Sequence, residues 1–139
     1  GLLGQDGNDT LRLGSGFGVA QGGDGNDRLY GGSGPTILFG EAGDDHLQAG
    51  FSSAHKWNLL NGGPGDDTLL GGSGDNYLHG EGGDDELVGH DRTSFFTGEG
   101  NDRIRNNRSK DRIFAGANDH FDTTQGSAFT EVKPSTTGQ

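Results

Sequence analysis

The sequence predicts an all-β fold, a right-handed parallel β-roll (a solenoid) in which two nine-residue repeats make one coil. Three observations predict it. A block of the form G-G-x-G-x-D-x-U-x, with U a large aliphatic residue, recurs along the chain, as in Gly22-Gly23-Asp24-Gly25-Asn26-Asp27-Arg28-Leu29-Tyr30. The U position stays apolar from copy to copy, although only 27% of the 139 residues are hydrophobic. The aspartate recurs with a period near 18 rather than 9, so that alternate copies are alike.

Each part of the repeat has a structural meaning. Six turn-forming residues precede three that extend, and glycines supply the positive φ angles a tight loop needs. In a strand x-U-x, the central residue points to one side and its neighbours to the other. With U inward, loop, strand, loop, strand closes one coil, and stacked coils pair as parallel strands around a narrow core. The doubled period then places the aspartate loops on one edge and the aspartate-poor loops on the other.

The six aspartate blocks start at Gly4, Gly22, Gly40, Gly62, Gly80 and Thr97, with sixth positions Asp9, Asp27, Asp45, Asp67, Asp85 and Asp102, spaced by 18, 18, 22, 18 and 17. Weaker copies begin at Leu13, Gly31, Gly71 and Gly89, and residues 49–61 form a stretched one. Their sixth positions are Gly18, Thr36, Asn76, Ser94 and, in the stretched copy, Asn58. A later copy, 106–114, regains the aspartate as Asp111, and a final weak loop ends at Asp119. The eighth positions run Leu11, Ala20, Leu29, Leu38, Leu47, Leu60, Leu69, Leu78, Leu87, Phe96, Ile104 and Ile113. A flexible glycine-rich linker has no reason to keep such a register.

Composition bounds the chemistry. A net charge of −11 with so few apolar residues would ordinarily predict disorder, so a folded chain needs a staple other than its core. Cysteine is absent, which excludes disulfides and thiolate-bound zinc or iron–sulfur sites. Twenty-one carboxylates leave a hard, oxygen-bound cation as the open route. Nothing in the sequence has the length and apolarity of a membrane span, and no signal peptide is visible. The chain begins at Gly1 and has no methionine, and is expected to be a fragment or a processed product. Its acidity argues against a nucleic-acid partner.

These tandem nonapeptides resemble the RTX, or hemolysin-type calcium-binding, repeat family over roughly residues 4–122. The resemblance implies calcium ions between successive loops of one edge, held by backbone carbonyls and by the sixth-position aspartates of two neighbouring loops. The implied ligands are Asp9, Asp27, Asp45, Asp67, Asp85 and Asp102. Six loops leave five gaps, so about five ions are expected on that edge, with Asp119 a candidate for a further, weaker one. The chemistry agrees: calcium takes six to eight oxygens in flexible geometry, and aspartates stacked at a strand spacing of about 4.8 Å repel unless a cation lies among them. Protonating them is expected to release calcium and unfold the roll. The five histidines show no zinc-ligand spacing, and no stretch fits an EF-hand loop.

Four features depart from the repeat. The second edge lacks carboxylates at Gly18, Thr36, Asn58, Asn76 and Ser94, so few or no ions are expected there. Position seven, expected on the outer surface, is polar after the aspartate loops (Thr10, Arg28, His46, Thr68, Glu86, Arg103) and apolar after the others (Val19, Ile37, Leu59, Tyr77, Phe95). This apolar ladder is a candidate binding face for a neighbouring domain, a protein or a polysaccharide. An insertion at 51–57 carries the single tryptophan, Trp57, either as part of a binding loop or as a cover for the ladder. Five of the ten basic residues fall in the coil 103–112 (Arg103, Arg105, Arg108, Lys110, Arg112), as an anion-binding patch or as partners for nearby acids such as Asp102 and Asp111. The expected organisation is a roll over 1–122 followed by a polar tail over 123–139.

The function expected is a calcium-binding module of a larger secreted or cell-surface protein, unfolded in calcium-poor cytosol and folding on calcium outside. The resemblance implies type I secretion, although no C-terminal export signal is recognisable. The alternative is a polysaccharide- or protein-binding module that uses the apolar ladder and Trp57. No nucleophile with a nearby base, HExxH or phosphate loop is present, so no catalysis is expected from this segment itself.

Overall fold

The computed structural model describes residues 1–53, 55–108, 110–122 and 129–132. Within them the chain forms fifteen short strands and no helix, and it passes from one sheet to the other at every loop. The eight-stranded sheet holds β1 (Leu2–Leu3), β3 (Gly18–Gln21), β5 (Thr36–Phe39), β7 (Trp57–Asn61), β9 (Asp75–His79), β11 (Thr93–Phe96), β13 (Arg112–Ala115) and β15 (Phe129–Val132), in that spatial order. The seven-stranded sheet holds β2 (Thr10–Arg12), β4 (Arg28–Tyr30), β6 (His46–Gln48), β8 (Thr68–Leu70), β10 (Glu86–Val88), β12 (Arg103–Arg105) and β14 (His120–Asp122). Every pairing is parallel and joins a strand to the one two places on. The protein is therefore the parallel β-roll that the repeat predicts.

The core is two facing columns, one per sheet. Leu11, Leu29, Leu47, Leu69, Leu87, Ile104 and Phe121 are in register along one sheet. Ala20, Leu38, Leu60, Leu78, Phe95 and Ile113 are in register along the other. All but the end members Leu11 and Phe121 are fully buried. One such side chain per repeat stabilises by about 1.5–3 kcal/mol, less than ordering the repeat's nine residues costs.

Two expectations are corrected here. Phe95, not Phe96, is the core residue of β11: it pairs with Leu78 and Ile113 and is completely buried. The copy beginning at Gly89 is one residue short, and this accounts for the aspartate spacing of 17. Its sixth position is consequently Thr93, and Ser94 takes position seven. Phe95 thus does not belong to the outer ladder. Phe96 faces outward instead, stacked between His79 and Phe114 at 4.4 and 4.9 Å. The second difference is β15, which lies beyond the expected boundary at 122 and pairs with β13. The remainder of the expected tail, 123–128 and 133–139, lies outside the described residues.

Candidate metal centre

The six aspartates end the loops 4–9, 22–27, 40–45, 62–67, 80–85 and 97–102, each one residue before a strand of the seven-stranded sheet. Their carboxylates turn inward beneath the loops, and all but Asp9 are at most 3% exposed. One oxygen is used by the fold. Oδ1 of Asp27 accepts the backbone N–H of Asp9 at 2.7 Å, and the same bond recurs from Asp27 to Asp45, Asp45 to Asp67, Asp67 to Asp85 and Asp85 to Asp102 at 2.7–2.8 Å. The other oxygen is not: Oδ2 of all six is buried with no hydrogen-bond partner. A row of unpaired buried carboxylate oxygens is unfavourable unless a cation satisfies it.

A second ladder clamps the same loops in the opposite direction. Oδ1 of Asn8, Asn26, Asp44, Asp66 and Asp84 accepts the backbone N–H of the position-five residue in the next coil, at 2.8–2.9 Å. Sequence reasoning missed this role. Its trace is an Asn or Asp at position five in all six blocks.

Backbone carbonyls complete the oxygen set. Position-four glycines pack so closely that a Cβ on Gly43 would lie 2.1 Å from Gly25 O, and one on Gly65 would lie 2.0 Å from Gly43 O. The position-two carbonyls of Gln5 and Glu81 meet Gly23 and Gly98 in the same way. Each gap is thus bordered by carbonyls at positions two and four and by sixth-position carboxylates. Among the described residues no three acidic or imidazole side chains converge, so a cation here draws most of its ligands from the main chain. Such an all-oxygen set suits a hard cation.

Electrostatics point the same way. Burial pushes the carboxyls of Asp45 and Asp85 up to about 7, Asp102 to about 8 and Asp67 to about 9, and neighbouring aspartates add to the rise. Asp27 is raised for the same reasons. The ladder therefore resists ionisation at neutral pH without a countercharge.

Asp119 differs. Its Oδ1 continues the ladder by accepting Asp102 N–H at 2.9 Å, but its Oδ2 accepts Thr97 Oγ1–H and Gly116 N–H, each at 2.7 Å. Both oxygens are satisfied by protein, so Asp119 caps the ladder and offers no orphaned oxygen.

The second edge is satisfied largely from within, with Asn58 Oδ1 and Asn107 Oδ1 as its buried side-chain oxygens without a partner among the described residues. Asn58 Nδ2 donates to Asn76 Oδ1 at 2.8 Å, and Asn76 Nδ2 donates to Gly72 O at 2.9 Å. Thr36 and Thr93 hydroxyls donate to the carbonyls of Gly34 and Asp91. Asp111, the one carboxylate at this position, accepts from Thr93 N–H and Arg108 N–H.

The outer faces differ as expected, with one member lost. Val19, Ile37, Leu59 and Tyr77 are in register, and Ser94 and Arg112 follow where the ladder was expected to continue. Tyr77 is 41% exposed. Trp57 lies on β7 rather than on a projecting loop, with its ring 5.8 Å from Phe17 beside the ladder. The His79–Phe96–Phe114 stack, unforeseen from sequence, extends the same face. The insertion lines an open cleft of about 360 Å³ with Ser52, Ser53, His55, Asp75 and Arg92, where His55 and Arg92 lie 3.5 and 3.8 Å from Asp75. In the basic coil, Arg108 acts on Asp111 as expected, through its charge and its backbone N–H, and Arg105 pairs with Glu86 at 2.7 Å and Arg108 with Asp91 at 3.8 Å.

No curated protein matches the chain. The family described as RTX calcium-binding nonapeptide repeat matches in four copies, over residues 3–38, 21–52, 58–91 and 96–127. With most of the chain matched and the β-roll geometry in place, this protein belongs to the RTX calcium-binding nonapeptide repeat family.

Proposed function

We propose that this chain is a calcium-gated folding module of a larger exported protein, with Asp9, Asp27, Asp45, Asp67, Asp85 and Asp102 as carboxylate ligands and about five ions on one edge. The observation that carries the proposal is the row of six buried Oδ2 atoms without partners. In calcium-poor cytosol the carboxylates repel and the thin core does not offset chain entropy. Outside the cell, calcium binds the folded roll and pulls the equilibrium towards it. An unfolded chain also suits passage through a narrow export channel, consistent with type I secretion to the medium or the cell surface. The test is far-UV circular dichroism during a calcium titration from a chelated sample. A cooperative coil-to-β transition near 10⁻⁴–10⁻³ M, roughly the range of extracellular calcium modules, and absent with magnesium, is the expected result. A β-rich spectrum in chelator at neutral pH would sink the gating.

A second, compatible reading is a binding module. It is favoured by the asymmetry between the outer faces, with Val19, Ile37, Leu59, Tyr77, Trp57 and the Phe96 stack on one sheet. Stacked rings suit a sugar polymer or an apolar protein surface. Tyr77→Ala and Trp57→Ala would abolish binding of such a partner while leaving calcium-driven folding intact.

A further inference from the structure

The second edge has its own inter-loop gaps, built on the same backbone plan. A Cβ on Gly34 would lie 2.2 Å from Gly16 O, and one on Gly50 would lie 2.2 Å from Gly32 O. Position-two and position-four carbonyls therefore face the next coil here just as they do on the aspartate edge. In one of these gaps the carbonyls have a cationic partner. Lys56 occupies position four of the stretched repeat, where Gly16, Gly34 and Gly74 stand in other copies. Its side chain reaches back one coil, and Nζ donates to Gly32 O at 3.0 Å and to Gly34 O at 3.2 Å. Lys56 is 2% exposed, an unusual burial for a lysine.

We propose that the Lys56 ammonium takes the place of a divalent cation between loops 31–36 and 49–58. A tethered charge then closes this station of the second edge without metal. An ammonium is a compact point charge with three donors, and it meets the two carbonyls that an ion in an equivalent gap would meet. The stretched repeat, four residues longer than the nine-residue copies, gives position four the freedom to carry a long side chain where close packing otherwise demands glycine. Folding of the coil that bears the insertion is thereby uncoupled from calcium on that edge.

This inference rests on the reading of position-two and position-four carbonyls as cation ligands. It is tested on the full chain with Lys56→Met, Lys56→Asp and, as a control, Lys56's exposed counterpart replaced in Lys110→Met. Lys56→Met keeps the stem and removes the charge. It is expected to raise the calcium concentration for half-folding about tenfold, while Lys110→Met leaves it at the wild-type value. Lys56→Asp, with a carboxylate beside the two carbonyls, is expected to bind one calcium ion more per chain than wild type in equilibrium dialysis. Equal behaviour of Lys56→Met and Lys110→Met, or an unchanged ion count in Lys56→Asp, overturns the proposal. Should wild type fold without calcium, the gating function fails. Lys56 is then decided by thermal unfolding alone, a lower midpoint for Lys56→Met than for Lys110→Met supporting it and equal midpoints overturning it.

Discussion

The two edges of this roll share one backbone plan and differ in what satisfies it. On the aspartate edge, each coil contributes a buried carboxylate oxygen that no protein group reaches. On the other edge, threonine, asparagine and one lysine turn their polar groups onto loop carbonyls or onto each other. The contrast teaches that closing a loop stack does not itself demand metal. Threonine, asparagine and the backbone N–H groups around Asp111 close most of it internally, with Asn58 Oδ1 and Asn107 Oδ1 left over, whereas each of the six ladder carboxylates leaves one buried oxygen, a regular deficit that a cation would fill.

That difference can be broken most severely at the close approach between loops. Gly65→Ala places a Cβ 2.0 Å from Gly43 O at a φ of +114° and should cost about 3 kcal/mol or more, abolishing calcium-driven folding. Gly82→Ala, with open space around it, should leave folding unchanged in the same circular-dichroism titration.

Asp67→Asn comes next. It removes the central carboxylate of the row, and is expected to raise the calcium midpoint about tenfold or more and to lower the number of bound ions.

Protons act on the same groups in a defined direction. The folded-state values of about 7 to 9 at Asp45, Asp85, Asp102 and Asp67 lie above the ordinary 3.8. Their contribution to the stability of the metal-free roll is therefore fully present below 3.8 and is lost as pH rises through the folded values. In chelator, β structure should be absent at pH 8 and should grow as pH falls towards 4. In calcium the midpoint for folding should rise over the same interval, because protons compete for the ligand oxygens. The acid unfolding expected from sequence, through loss of calcium, is thus opposed by the protonated ladder, and circular dichroism of the calcium-loaded chain taken from pH 8 to pH 5, beside a chelated sample at pH 5, decides between them.

Asn76→Ala sharpens the comparison from the other side. It removes one of the two acceptors of Asn58 Nδ2, Ser73 O remaining, and frees Gly72 N–H and O, for about 1–3 kcal/mol. Thermal unfolding in saturating calcium should shift down while the bound-ion count stays constant. The smallest effect is expected at Arg105→Ala, whose ion pair with Glu86 is 51% and 34% exposed and is worth about 0–1 kcal/mol.

The roll and its aspartate row were legible in the sequence because both rest on strict periodicity: U every nine residues, aspartate every second U. What escaped lay where the period breaks or where residue type is ambiguous. Phe95 and Phe96 are adjacent and equally apolar, so only pairing with Leu78 and Ile113 decides which one faces inward. The position-five ladder was visible as Asn or Asp, but turn propensity alone explains those residues in a loop, and the inter-coil hydrogen bonds emerge only on stacking. Lys56 sits in the stretched repeat, where no register assigns it to a gap. Asp119 matches the repeat by type, yet Thr97 and Gly116 occupy the oxygen that would otherwise face a cation.

The central claim is that metal holds one edge and protein holds the other. Counting calcium per folded chain by equilibrium dialysis at neutral pH tests it most directly. Six aspartate loops enclose five gaps, and five ions per chain is the predicted result. A count near twice that, with ions on both edges, or no bound calcium at all, would contradict the account.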